Sequence, residues 1–166
     1  MAFNVKQFLN TVIKPSLQDM NADSLDARAL LLCTAAHESH LGTYLKQQEG
    51  PALGVYQMEP FTYRDIVQNY LAYRIPLSEK ILKKGGFKIF PFSSELATNL
   101  KWSTYFARLH YMRIPEALPS YQNVEQIAQY WKKYYNTMDG KGTVEAFIRD
   151  CHQFLGDLPK LIEDNP

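Results

Sequence analysis

The segment 25–36 constrains the fold more than any other part of the sequence. Its apolar residues recur at intervals of three and four, the spacing that places side chains on one face of a helix. Ser24 and Asp23 stand directly before it, and both residue types cap helix N-termini. A helix this apolar has to lie in a core. We therefore expect the chain to pack around it, with Glu38 at its C-terminal end.

Helical periodicity also dominates the rest of the chain, and 166 residues suffice for one domain with a real core. Further helices are expected in a stripe from Phe3 that ends at Pro15, from a capping-box-like Thr62–Asp65 pair to Tyr73, and over 77–84, 94–114, 123–136 and 143–155. Residues 42–58 are expected to form a loop or short extended segments around 54–58, and 87–92 a brief extended piece. The predicted fold is mainly α, with minor strand content, in a single domain over 1–166.

The composition excludes several partners. A net charge of +1 gives no support to a nucleic-acid partner, which normally requires a basic face. No window approaches the roughly 20 apolar residues of a membrane span, so no membrane anchor is expected. The start of the chain does not resemble a signal peptide. We accordingly expect synthesis in the cytoplasm and, by default, a monomer.

The motif "AAHESHLG" places Glu38 between His37 and Ser39, which raises the question of zinc. The metalloprotease pattern needs two histidines four apart on one helical face, whereas His37 and His40 are three apart. Neither His110 nor His152 has ligand-like spacing. We expect no metal and no cofactor.

Nucleophilic catalysis is equally weakly supported. Ser39 beside His40 is not a triad, and the sequence contains no nucleophile-elbow motif. Cys33 and Cys151 lie among apolar neighbours, which raise a thiol pKa, so both are expected to be buried free thiols.

Glycosidase chemistry is the third option. A sugar-cleaving acid holds its proton near neutral pH when its carboxyl is partly buried at a cleft edge. Glu38, after an apolar helix, fits that setting, but many solvated helices also end in a charge. Gln57 lies in a glycine-bounded apolar segment, as either a satisfied core amide or a ligand for a sugar N-acetyl group. Position alone leaves both alternatives open.

Two stretches resemble a known family. Glu38-Ser39, a gap and then "GPALGVYQMEPFT" at 50–62 are similar to the signature of the soluble lytic transglycosylase and goose-type lysozyme superfamily. Tyr135-Asn136 followed by "GKGTV" at 140–144 resembles a second element of that family. The resemblance covers roughly residues 24–150, and it implies a lysozyme-like domain.

The resemblance also implies a function. Glu38 would be the single general acid and base in cleavage of the MurNAc–GlcNAc β-1,4 bond of peptidoglycan glycan strands. Family members without a second carboxylate use the substrate's N-acetyl group and release a 1,6-anhydro sugar. Ser39 would orient Glu38, and Tyr135 would close the cleft. The implied substrate-binding set is Ser39, Gly54, Tyr56, Gln57, Met58, Tyr135 and Asn136.

The sequence departs from the family at three places. Glu59 stands where the family has Met, Met138 and Asp139 are additional, and the loop after Ser39 lacks the usual Asn and Ser residues. Glu59 is either a solvated helix-entry charge or, like Glu49, a second acid that positions water and makes the enzyme a hydrolase. A non-catalytic glycan-binding or structural module of the same fold is the alternative, because fold does not fix function.

The implied substrate lies outside the membrane, and no export signal is evident in the sequence. We therefore expect a bacteriophage product that acts on the periplasmic wall. It would be an endolysin released through a holin pore or a virion-associated enzyme.

Overall fold

Helices account for 61% of the chain and strands for 2%, with no sheet, in the computed structural model, which describes residues 1–166. The mainly α prediction is confirmed, and the chain forms a single compact domain. Two isolated bridges, which pair Leu53 with Lys46 and with Met58, are the whole of the strand pairing. No strand forms over 87–92.

Ten α-helices, two π-helical segments and one 3-10 turn follow one another along the chain. They are α1 (Val5–Phe8), the first π-segment (Leu9–Ile13), α2 (Lys14–Asp19), α3 (Leu25–Ser39), α4 (Pro60–Asn69), the 3-10 turn (Leu71–Tyr73), α5 (Ile75–Gly85), α6 (Glu95–Thr98), α7 (Leu100–Met112), α8 (Val124–Trp131), the second π-segment (Lys132–Asn136), α9 (Val144–Leu155) and α10 (Leu158–Glu163). None of the helices combines the length and apolarity needed to cross a bilayer.

Helix α3 is the central element. The Ser24 hydroxyl caps it by accepting the Ala27 N–H at 3.0 Å, as expected, and every residue from 27 to 36 is buried. Its most extensive contact is with α9, and it also packs against α7, α8, α10 and the first π-segment. A second, smaller apolar cluster surrounds Trp102 on α7, under α4 and α5. Because neighbouring helices enclose the body of α3, its polar C-terminal turn lies at the edge of the domain, beside a cleft.

The prediction that the first helix ends at Pro15 is wrong. The chain stays helical to Asp19, because the first π-segment precedes the proline and the Lys14 N–H donates to the carbonyl of Leu9, five residues back. Proline has no N–H to donate, and in α geometry its ring meets the carbonyl four residues earlier. The wider π turn accommodates both constraints.

Other predicted helix boundaries are also corrected. Helix α4 starts at Pro60 rather than at a Thr62–Asp65 capping box, because proline suits the first helical turn. It ends at Asn69, before the 3-10 turn. The expected 94–114 helix is divided at Asn99, whose side chain accepts the Trp102 N–H at 2.9 Å and so caps α7. Helix α10, which buries Leu158 and Ile162, was not predicted.

The loop that carries Gln57 depends on a glycine. Gly54 has φ +80°, and a methyl group added there would lie 2.1 Å from the backbone oxygen of Leu96. Gly86, the C-cap of α5, has the same φ of +80° but nothing within 4 Å. The two positions therefore share the left-handed conformation and differ only in free space.

We predict that Gly54→Ala lowers the free energy of unfolding by at least ~3 kcal/mol, since the clash adds to the left-handed strain. Gly86→Ala is the matched control and should cost about 1 kcal/mol, from the strain alone. Chemical denaturation of both variants measures the difference. Equal losses would show that the packing of Gly54 on Leu96 is not tight.

Candidate active site

Glu38 occupies the last turn of α3, half-buried, at the junction of two cavities. A cavity of about 600 Å³ lies on one side, and one of about 530 Å³ on the other; Glu38, Gln47 and Gln57 line both. The predicted site residues that line the first cavity are Glu38, Gln57, Met58, Glu59, Tyr135 and Asn136. Glu49 lines the second. Segments far apart in sequence thus line two adjoining cavities, together called the cleft, that share Glu38.

The Glu38 carboxyl group has one hydrogen-bond partner in the protein. The indole N–H of Trp131 donates to its Oε1 at 2.8 Å. Burial raises the pKa of Glu38 to about 7, while the Trp131 bond acts in the opposite direction by favouring the carboxylate. The site therefore contains a carboxyl group that exchanges its proton near neutral pH, the property required of a general acid that later acts as a base.

Trp131 was not among the predicted site residues. It is fully buried at the end of α8, where Phe147 stacks on it with ring centroids 4.8 Å apart. Gly142 also packs against it closely, since a methyl group there would lie 2.6 Å from the indole. The sequence did carry a signal: Trp131 precedes Tyr135 by four residues, about one helical turn.

Tyr135 lies across the cleft in the second π-segment. Its hydroxyl donates to the Tyr56 carbonyl at 2.7 Å, and its ring stacks on Tyr111 at 5.2 Å. The Tyr56 side chain points away from the cleft: its ring is buried and its hydroxyl is bonded to Thr104 at 3.1 Å. Tyr56 therefore contributes a backbone carbonyl to the site rather than a side chain.

Ser39 and Gly54 have structural partners. The buried Ser39 hydroxyl donates to the Ala35 carbonyl and accepts the Gly42 N–H at 2.8 Å, and neither bond involves Glu38. Gly54 is enclosed by the chain and lines neither cavity. Both residues shape the segments beside Glu38 without facing the cleft.

Gln57 has a strained backbone and a tethered amide. Its φ is +47°, a conformation that residues other than glycine rarely adopt. Its side-chain N–H donates to the Gly54 carbonyl at 2.9 Å. Strain of this kind, held in place by surrounding structure, is common where a side chain must be aimed at a ligand. The amide oxygen of Gln57 has no hydrogen-bond partner within the protein.

Lys132 fixes the loop 137–142, which forms one wall of the first cavity. Its ammonium group donates to the Asn136 side-chain oxygen at 2.7 Å and to the Gly140 and Gly142 carbonyls at 2.8 Å each. The side-chain oxygen of Asn136 is therefore already hydrogen-bonded to Lys132, which also holds the loop. The additional residues Met138 and Asp139 are exposed at its tip.

His110 lines the same cavity but is not an acid. Arg113 can only donate, so the 2.7 Å contact makes His110 Nδ1 an acceptor; its proton is then on Nε2, 3.0 Å from the Tyr134 carbonyl. Burial, and secondarily Arg113, lower the pKa of His110 to about 4. His110 is therefore neutral, and both of its ring nitrogens are hydrogen-bonded. Its ring packs edge-on against that of Tyr135, with centroids 4.8 Å apart.

Nowhere do three His, Cys, Asp or Glu side chains converge to hold a metal ion. Cys33 and Cys151 are buried free thiols, as predicted.

Comparison of the chain with family models, curated proteins and solved structures finds no match.

The raised pKa of Glu38 predicts a pH-dependent cost in stability. The group is protonated in both folded and unfolded chains below its unfolded value of 4.5, so the cost is absent there. It grows as pH rises and is complete above about 7. Glu38→Gln keeps the shape and an acceptor for Trp131. We expect it to stabilise the protein by about 2–3 kcal/mol at about pH 8 and by almost nothing at about pH 4.

Denaturant unfolding at the two pH values measures this gain. Glu59→Gln, at an exposed position of the same cavity, is the control for loss of one carboxylate. An equal effect of Glu38→Gln at both pH values would mean that the carboxyl group is not destabilised by burial.

Proposed function

We propose that this protein is a peptidoglycan-cleaving glycosidase of lysozyme-like fold in which Glu38 is the general acid and base. The observation that carries the proposal is a single half-buried carboxyl group, with a pKa of about 7, that lines two adjoining cavities. The sequence resemblance supplies the substrate, the β-1,4 bond between MurNAc and GlcNAc.

The near-neutral pKa of Glu38 suits both halves of such a reaction. In its acid form, Glu38 donates a proton to the glycosidic oxygen as the bond to the sugar breaks. The resulting carboxylate is stabilised by the Trp131 N–H at 2.8 Å. In the second half, that carboxylate takes a proton from the attacking hydroxyl group. Burial, which favours the acid, outweighs the hydrogen bond, which favours the base, and the resulting pKa of about 7 leaves both forms populated near neutral pH.

The cleft offers contacts of the kind that sugars require. Most residues lining the first cavity are polar, and the free amide oxygen of Gln57 can accept the N–H of an N-acetyl group. Tyr135 and Met58 supply flanking surface for a sugar ring. A substrate held by these contacts would have its amide in the same cavity as Glu38.

Two reaction outcomes follow from two sources of the attacking oxygen. If the C6 hydroxyl of the sugar attacks, the product is a 1,6-anhydro sugar and Glu38 acts alone. If water attacks, a second carboxylate positions it. Glu59 is exposed in the first cavity, where the amide of Gln57 would hold the sugar, and is therefore a better candidate than Glu49, which lines the second cavity. The bacteriophage origin and release through a holin pore remain predictions from the sequence.

The experiment is a digest of purified peptidoglycan, with soluble muropeptides identified by mass spectrometry. Glu38→Gln should reduce their release at least ~100-fold, the usual contribution of a general acid. Glu145→Gln, on the exposed first turn of α9, is the matched control and should retain activity. Anhydro ends would indicate intramolecular attack; reducing ends, together with loss of activity in Glu59→Gln, would indicate hydrolysis. A folded wild type that releases nothing would contradict the proposal and favour a glycan-binding module.

A further inference from the structure

The neighbourhood of Trp131 contains an ion-pairing group that the proposed reaction does not use. Asp150, on α9, is buried, and its Oδ2 lies 2.7 Å from Nδ1 of His37 on α3. Arg149 is the only permanent cation near it, with its Nε 3.6 Å from the other carboxylate oxygen, and burial lowers the pKa of His37. A buried carboxylate lowers the stability of the fold unless hydrogen bonds or opposite charges compensate it. The pairing of Asp150 with His37 therefore calls for an explanation.

The His37 ring connects this pair to Trp131. Its centroid lies 4.6 Å from that of Trp131 in an edge-on arrangement, and 5.4 Å from that of Phe147. Trp131 and Phe147 are themselves stacked. The three rings, called the ring cluster below, are in mutual contact, so the orientation of His37 limits the positions open to the indole.

His37 and Glu38 are consecutive in α3, and their side chains leave the helix about 100° apart. His37 is directed at α9, where Asp150 holds it, and Glu38 at the cleft. Trp131 contacts both: it packs on the first and donates its N–H to the second. The hydrogen bond to Glu38 therefore depends on a ring whose position Asp150 fixes.

We propose that Asp150 and His37 are positioning residues for Glu38, which act through the ring cluster by directing the Trp131 N–H at the Glu38 carboxyl group. The catalytic meaning of this arrangement rests on the proposed function, but the arrangement itself is tested without any substrate.

The sign of one effect separates positioning from simple electrostatics. Removing the Asp150 charge would by Coulomb interaction alone make the Glu38 carboxylate easier to form and lower its pKa. Misdirecting the Trp131 N–H removes a bond to the carboxylate and raises that pKa. The two explanations predict opposite shifts for the same substitution.

The probe is the indole N–H signal of Trp131 in ¹H–¹⁵N NMR. The chain has two tryptophans, and the other indole, that of Trp102, donates to Tyr63 and serves as an internal reference. In the wild type, the Trp131 signal should titrate with Glu38, and Glu38→Gln should abolish the titration. Other titratable groups line the two cavities with Glu38: Glu59, His110, Tyr135 and Lys141 in the first, and His40, Tyr44, Lys46 and Glu49 in the second. Tyr111 and Tyr135 also interact with Glu38, and burial raises their pKa values well above the ordinary range.

We expect Asp150→Ala to raise the midpoint of the Trp131 titration by about 0.5 to 1 in pH, and Asp150→Asn, which still offers an oxygen to His37, to raise it less. The effect of Asp150→Ala on the Glu38 midpoint, followed by ¹³C NMR of labelled glutamate, should vanish when Trp131→Phe is present. Arg149 and His40 are the other ionisable neighbours of His37. His40→Asn is the control for the second imidazole and should leave the midpoint in place.

An unchanged or lowered midpoint in both Asp150 variants would overturn the proposal, as would equal shifts in the Trp131→Phe background. If Asp150→Ala does not fold, Asp150→Asn and His37→Gln carry the same comparison. A raised midpoint in a protein that releases no muropeptides would uphold the positioning role while refuting the proposed function. With activity present, the pH at which activity falls should move together with the indole midpoint.

Discussion

The enclosure of α3 is the constraint on which the rest of the structure depends. All residues from 27 to 36 are buried, so neighbouring helices must surround the body of this helix, and α9 covers it most extensively. The first polar side chains at its end, His37 and Glu38, are then carried to the boundary of the core. There the helix stops in a left-handed residue, His40, with φ +48°. A carboxyl group is thereby held partly out of water by the same packing that stabilises the fold.

Two opposing effects at Glu38 give the cleft its chemical character. Loss of hydration favours the neutral acid, and the N–H of Trp131 favours the carboxylate. Loss of hydration is the larger effect, and it raises the pKa of Glu38 to about 7, where the group can both donate a proton and accept one. Around this pair, Lys132 ties down the loop 137–142, and Tyr135 is anchored to the Tyr56 carbonyl. These hydrogen bonds hold segments that line the cavity shared by Glu38 and Gln57.

Much of the fold could be predicted from the sequence, because local signals determine it. The apolar period of α3 and the caps at Ser24 and Thr143 lie within a few residues of the helices they define. The π-segments could not be predicted, since they reflect how a helix fits its neighbours. The break at Asn99 was missed because the helical period continues across it. Of the two alternatives for 42–58, the structure has the loop, with isolated bridges at Leu53, and Gly54 and Gln57 both adopt positive φ, which an extended segment does not allow.

The candidate site divides in the same way. Glu38, Gln57 and Tyr135 were predicted from motifs, and the structure brings them to one cavity. The inward orientation of Tyr56 and the backbone bonds of Ser39 were not foreseen, because a motif identifies positions but not the direction of a side chain. Trp131 was missed because its bond to Glu38 joins residues 93 positions apart. Contacts at that separation depend on how α8 packs beside α3.

Measuring the pKa of Glu38 tests its role as a general acid most directly. It can be measured by ¹³C NMR of protein labelled at the glutamate side-chain carboxyl, with the signal assigned through Glu38→Gln. If burial controls this carboxyl group, the Glu38 signal should titrate with a midpoint of about 7. A midpoint near the ordinary value of 4.5 would show that Glu38 is an ordinary solvated carboxylate and would remove the basis for its role as a general acid.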